Sequence, residues 1–141
     1  MASSVILLTM MWWAVPNQPE LVFVAFLGVA IGDLLAGAVG HRYGEHRYTT
    51  TALFTAKTFT RSWEGSACVF ATTFIAVLLV GSALPLGQFV AALILMPMVL
   101  TVAEAKSPHT WDEPVMFLAA MITAMAIVKF WQLQNCSGIH L

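Results

Sequence analysis

Leu21–Gly40 reads LVFVAFLGVAIGDLLAGAVG, an apolar run whose single charge is Asp33. At 1.5 Å per residue, about 20 helical residues cover the roughly 30 Å hydrocarbon core of a bilayer. The run therefore predicts a transmembrane helix over residues 20–40. A carboxylate inside such a helix costs a few kcal/mol on insertion scales, which makes Asp33 a functional candidate. Gly28, Gly32, Ala36, Gly40 and Gly44 recur every four residues and form a ridge that lets a second helix approach closely. Packing alone accounts for that ridge, and it turns the adjacent Asp33 toward protein.

Outward from this run the chain alternates between apolar and polar segments. Residues 41–62 are polar and hold Arg42, Arg47, Lys57 and Arg61, four of the six Lys and Arg residues, together with His41 and His46. Further apolar runs occupy 63–83, 88–105 (with Pro97 inside) and 115–131, and a second polar loop spans 106–113. Pro114 suits a helix start, where the missing N–H needs no partner. The apolar stretch 5–15 is short for a span and predicts an interfacial or tilted helix, with Trp12 and Trp13 at headgroup level. The N-terminus lacks the basic start of a secretory signal and is expected to be retained.

The whole composition agrees with this reading. Of 141 residues, 60% are hydrophobic and 9% charged, against about 25% charged in soluble domains. The expected architecture is an all-α polytopic membrane protein: one domain, four transmembrane helices and a short N-terminal apolar helix. A net charge of -1 gives no case for nucleic acid. Cys68 and Cys136 supply neither a disulfide framework nor metal spacing. The loops 41–62 and 106–113 hold Arg42, Arg47, Lys57, Arg61 and Lys106, whereas the other side has only Lys129, so the positive-inside rule assigns both loops to the cytoplasm.

Asp33, Glu64, Glu104 and Asp112 all fall on or near that same face. Cations between helices attract phosphates, and carboxylates at the same level can hold Mg²⁺ together with substrate phosphate oxygens. Glu64-Gly65-Ser66 opens a helix whose N-terminus favours anions, while Gly40 and Gly44 would let the backbone approach a phosphate chain. This inventory suits phosphoryl transfer, which consists mostly of positioning and charge neutralisation. Each member also has a structural reading. Glu64 can complement the helix dipole, the basic residues can be topology signals, and His41, His46 and His109 can be solvated.

Gly32-Asp33 with the spaced glycines, Arg61-Ser62-Trp63-Glu64-Gly65-Ser66, and Glu104-Ala105-Lys106-Ser107-Pro108 followed by Asp112-Glu113-Pro114 are three ordered blocks across residues 32–114. Together they resemble the polyprenol kinase family (dolichol, phytol and CTP-dependent diacylglycerol kinases), related to phosphatidate cytidylyltransferases. The resemblance implies transfer of the CTP γ-phosphate to a membrane lipid alcohol, with Mg²⁺, at the cytoplasmic face. On that basis Asp33, Glu64 and Asp112 are the expected catalytic residues, and Asp33, Glu64 and Glu104 the metal ligands. Arg42, Gly40, Gly44, Lys57, Arg61, Ser62, Gly65, Ser66 and Ser107 are expected to hold the nucleotide. Arg61 stands where the family usually has lysine, and Glu113 where it has asparagine. Fewer helices precede Gly32-Asp33 than in the family, so either a second copy or a partner subunit would supply the rest, or the chain is a minimal or truncated form. Nucleotidyl transfer and a non-catalytic membrane subunit are the alternative functions.

Overall fold

In the computed structural model, which describes residues 2–51, 58–107 and 112–136, five α-helices carry the chain: α1 (Ala2–Ala14), α2 (Pro19–Tyr43), α3 (Trp63–Val80), α4 (Leu86–Lys106) and α5 (Asp112–Cys136). Four of the segments, Pro19–Tyr43, Trp63–Ala83, Leu86–Lys106 and Glu113–Cys136, are long and apolar enough to cross a membrane. Large apolar side chains also cover the outside: Leu34, Leu79, Ile94 and Ile122 are all exposed. Outward-facing apolar surface on helices that satisfy their own backbone hydrogen bonds is what a lipid environment requires.

The helix ends follow from local chemistry. Pro19 occupies the first turn of α2 with Glu20 beside it, and His41 and Arg42 lie in the last turn. Acid at the start and base at the end both complement the helix dipole. The helix therefore continues to Tyr43, beyond the expected end at Gly40. Ser62 caps α3, its Oγ accepting from the Gly65 N–H at 3.1 Å. Pro97 is buried within α4 and does not end it. Helix α5 extends past the expected boundaries at both ends, into residues read as loop and tail.

The expectation of an all-α chain is corrected between α2 and α3. Strands β1 (Arg47–Thr51) and β2 (Thr58–Ser62) form an antiparallel hairpin in the register Arg47↔Ser62, Tyr48↔Arg61, Thr49↔Thr60, Thr50↔Phe59 and Thr51↔Thr58. Threonine and aromatic residues dominate both strands, and such side chains fit a pleated surface better than a helix. The Trp63 N–H donates to the His46 carbonyl at 3.1 Å, joining the hairpin directly to α3.

The small-residue ridge is a packing seam, as expected. A Cβ on Gly28 would lie 2.6 Å from Thr73 Oγ1, one on Gly32 would lie 3.3 Å from Val69 Cα, and one on Gly40 would lie 2.7 Å from Ser62 Oγ. From the other side, a Cβ on Gly65 would lie 2.9 Å from the Ala36 carbonyl oxygen. Each step of four along α2 thus meets a step of about four back along α3, which describes two antiparallel helices in close approach. The core continues through Val24, Val29, Met96, Leu100, Met116 and Ala120, all fully buried. Helix α4 packs between α3 and α5, α5 also reaches α2, and α1 lies against α5 and α2.

The seam generates a paired stability prediction. Gly65→Ala forces backbone apart and should destabilise the fold by about 1–3 kcal/mol, the usual range for overpacking. Gly37→Ala meets nothing within 4 Å and should leave stability unchanged or raise it by up to about 1 kcal/mol. Thermal unfolding of the two variants in detergent measures the contrast; equal midpoints would show that the seam is not close-packed.

Candidate phosphate site

Four helix ends and the hairpin meet on one side of the bundle, because α2 and α4 end there and α3 and α5 begin there. A cavity of about 290 Å³ opens among them, lined by Ala36, Gly37, Gly40 and His41 of α2, Arg47, Thr60, Arg61 and Ser62 of the hairpin, Gly65 of α3 and Glu104 of α4. One wall is the small-residue face of α2, where the missing side chains leave the room.

Glu104 anchors the floor at 2% exposure. Its Oε1 lies 3.1 Å from Arg61 Nη1, and its Oε2 accepts from Ser66 Oγ at 3.0 Å. The same arginine donates from Nη2 to the Ser107 carbonyl at 3.2 Å. Ser66 Oγ lies 2.8 Å from the Tyr48 hydroxyl. With the single Ser66 proton directed at the carboxylate, Tyr48 is the donor to Ser66. The chain therefore runs Tyr48 to Ser66 to Glu104, and Arg61 closes it from the opposite strand, since Tyr48 and Arg61 are a cross-strand pair. A carboxylate this deeply buried is tolerable only with a charged partner and further hydrogen bonds. Both are present.

Glu64 is engaged by His46. Its Oε1 accepts from the His46 backbone N–H at 3.1 Å and lies 2.8 Å from His46 Nδ1. Its Oε2 is enclosed without a hydrogen-bond partner. The contact fastens the start of β1 to the first turn of α3. Trp63 packs on the same strand, its ring 5.3 Å from the Tyr48 ring.

The expected site residues divide into three groups. Gly40, Arg61, Ser62 and Gly65 line the cavity with Glu104, and Ser66 and Ser107 stand behind them in the hydrogen-bond network. Asp33 is half-buried and engaged, one turn before Ala36 and Gly37 on α2 and outside the cavity lining. Arg42 is exposed, with its guanidinium carbon 5.8 Å from the centre of the Tyr43 ring, and Gly44 packs against Ser62; neither lines the cavity. Lys57 lies outside the described residues, as does the side chain of Asp112, whose backbone begins α5.

The expected metal triad does not assemble. Among the described residues no three His, Cys, Asp or Glu side chains gather around a common point. Asp33, Glu64 and Glu104 sit on three different helices, and Glu104 and Glu64 are already engaged by Arg61 with Ser66 and by His46, respectively. The residues fit a buried ion pair better than a prebuilt cation cage. Ala36, Gly37, His41, Arg47 and Thr60 line the cavity and Tyr48 stands behind it, and none of these was an expected site residue. The aromatic and β-branched content of Tyr48-Thr49-Thr50-Thr51 was the available signal for a strand. Comparison of the chain with protein families, characterised proteins and solved structures finds no match.

The buried pair generates the second prediction. Arg61→Met and Glu104→Met each strand a buried charge and should each cost about 3–5 kcal/mol. The double variant removes both charges and should be more stable than either single variant. Thermal unfolding of all four proteins closes the cycle, and additive losses would mean that the two side chains do not interact.

Proposed function

We infer that this chain is a membrane-embedded phosphotransferase that moves the γ-phosphoryl group of CTP to a lipid alcohol. The observation that carries the reading is the cavity itself, where His41, Arg47 and Arg61 meet bare glycine backbone at the end of four membrane-length helices. Basic groups around a glycine-walled recess suit a phosphate chain, and the adjoining lipid-facing surface suits an apolar tail. The sequence blocks that resemble polyprenol kinases supply the nucleotide and the acceptor class.

The buried pair redistributes the roles expected from sequence. Arg61 is held by Glu104 and Ser107, so it acts as a fixed positive wall. Arg47 is exposed at the rim, its Nε donating to the Gly44 carbonyl at 3.3 Å, and is the better placed group to meet incoming phosphates. Asp33 shares the face of α2 formed by Ala36, Gly37 and Gly40, one turn deeper toward the membrane interior. A lipid hydroxyl arriving from that side would attack the γ-phosphorus, and the bond from γ-phosphorus to the β,γ-bridging oxygen would break to release CDP. The hydroxyl proton would pass to the Asp33 carboxylate. Magnesium enters in this scheme as part of the substrate, complexed to the CTP phosphates. Arg42, Arg47, Arg61 and Lys106 at this end against Lys129 at the other favour a cytoplasmic position for the cavity.

Purified protein with mixed prenols and diacylglycerol should transfer label to lipid from γ-labelled CTP and none from α-labelled CTP. Label from the α-phosphate would indicate nucleotidyl transfer, and none from either a non-catalytic subunit. Arg47→Ala should raise KM for CTP about tenfold or more, the worth of one charge-assisted hydrogen bond, with KM for lipid little changed. Asp33→Asn should lower kcat about a hundredfold or more while the protein still folds. An Asp33→Asn enzyme with normal turnover would make Asp33 a packing residue.

A further inference from the structure

Gly37 differs from the other glycines of α2. A Cβ at Gly28, Gly32 or Gly40 would press on an atom of α3 or its cap, whereas one at Gly37 would meet nothing within 4 Å. Gly37 is exposed, yet it also lines the phosphate cavity. Glycine inside a helix costs stability relative to alanine, and no helix contact at this position requires it. The cavity wall is therefore open at this turn. Deeper along α2 the same face carries Leu34 and then Ala30, both exposed, on a helix long enough to cross a membrane. The opening thus runs directly onto lipid-facing surface.

Gly37 lies six residues before the end of α2 at Tyr43, about 9 Å along the helix axis. Tyr43 at that end and Trp63 at the start of α3 are both exposed, as the aromatic side chains of a headgroup belt are. The open turn stands just inside that belt, at the depth where a lipid hydroxyl lies. We infer that Gly37 is the portal through which the lipid alcohol enters the phosphate cavity sideways, and that its missing side chain sets the bulk admitted next to the hydroxyl. The inference rests on the phosphotransferase reading. The acceptor's chain lies along Leu34 in the bilayer, and only its hydroxyl end passes over Gly37. There it meets Asp33, four residues earlier on the same face, and the arginines of the hairpin. Gly37 takes no part in bond making; it determines which alcohol arrives.

Two experiments test the portal. Gly37→Phe should unfold no lower than the parent, because its side chain enters open space, and should raise KM for geranylgeraniol about tenfold or more with KM for CTP within about twofold. An unchanged KM for the alcohol, or an equal rise in both constants, would overturn the assignment. The second experiment needs no turnover, so its failure is separate from a failure of the phosphotransferase reading. Leu34→Cys, Gly37→Cys and Thr60→Cys, each in a Cys68→Ala, Cys136→Ser background, carry a bimane label in phosphatidylcholine nanodiscs. Lipid brominated in its acyl chains should quench positions 34 and 37, and aqueous iodide should quench 37 and 60. Quenching of position 37 by both agents places it where cavity and bilayer meet. Quenching there by iodide alone would mean a wall closed to lipid, and by brominated lipid alone a turn outside the aqueous cavity; either result overturns the portal.

Discussion

Helices α2 and α3 come together along a seam where neither has side-chain bulk to spare. Gly28, Gly32 and Gly40 on one side and Gly65 on the other bring backbone against backbone or against short hydroxyl side chains. In lipid no hydrophobic gain drives helices together, so close van der Waals contact has to supply the association. The same seam shapes the phosphate cavity, because Ala36, Gly40 and Gly65 belong to both. Helix packing and site geometry are therefore one constraint, and bulk added at the seam acts on both.

The hairpin is the second consequence of that arrangement. It leaves α2 at Tyr43 and returns at Ser62, where the cap of α3 sits against Gly40. Between those points it carries Arg61 and Tyr48 on adjacent strands toward a carboxylate that belongs to α4. Glu104 thus ties β2 to α4 directly and ties β1 through Ser66 of α3. A two-stranded ribbon alone is marginal in water. Here the buried ion pair, the Glu64–His46 contact and the Trp63–Tyr48 ring contact hold it onto the bundle.

The polar groups divide between the two ends of the bundle, and the division has chemical content. One end concentrates arginine, histidine and a buried carboxylate around a recess. The other places Gln18, Gln88, Lys129 and Trp131 around a second cavity. Between them the four long helices present apolar surface outward, so a lipid could reach either end laterally.

The hydrophobic runs determined that four helices cross the bundle and roughly where they begin and end. Length and hydropathy are local properties that tertiary contacts do not override at that scale. The spacing of Gly28, Gly32, Ala36 and Gly40 likewise determined the packing face of α2. The hairpin was encoded in Tyr48–Thr51 and Thr58–Arg61, but five-residue strands give a weak signal beside strong helical runs. Which carboxylate stands in the cavity was decided by the tertiary structure alone. Asp33 stands out along the chain, yet it is Glu104 that lines the cavity, paired with an arginine from a strand 43 residues earlier in sequence. Pairing between side chains so distant depends on the angle and depth at which helices meet, and no local pattern records either. The enclosed, unpartnered amide oxygens of Gln18 and Gln88 became visible for the same reason, since burial is a property of the assembled bundle.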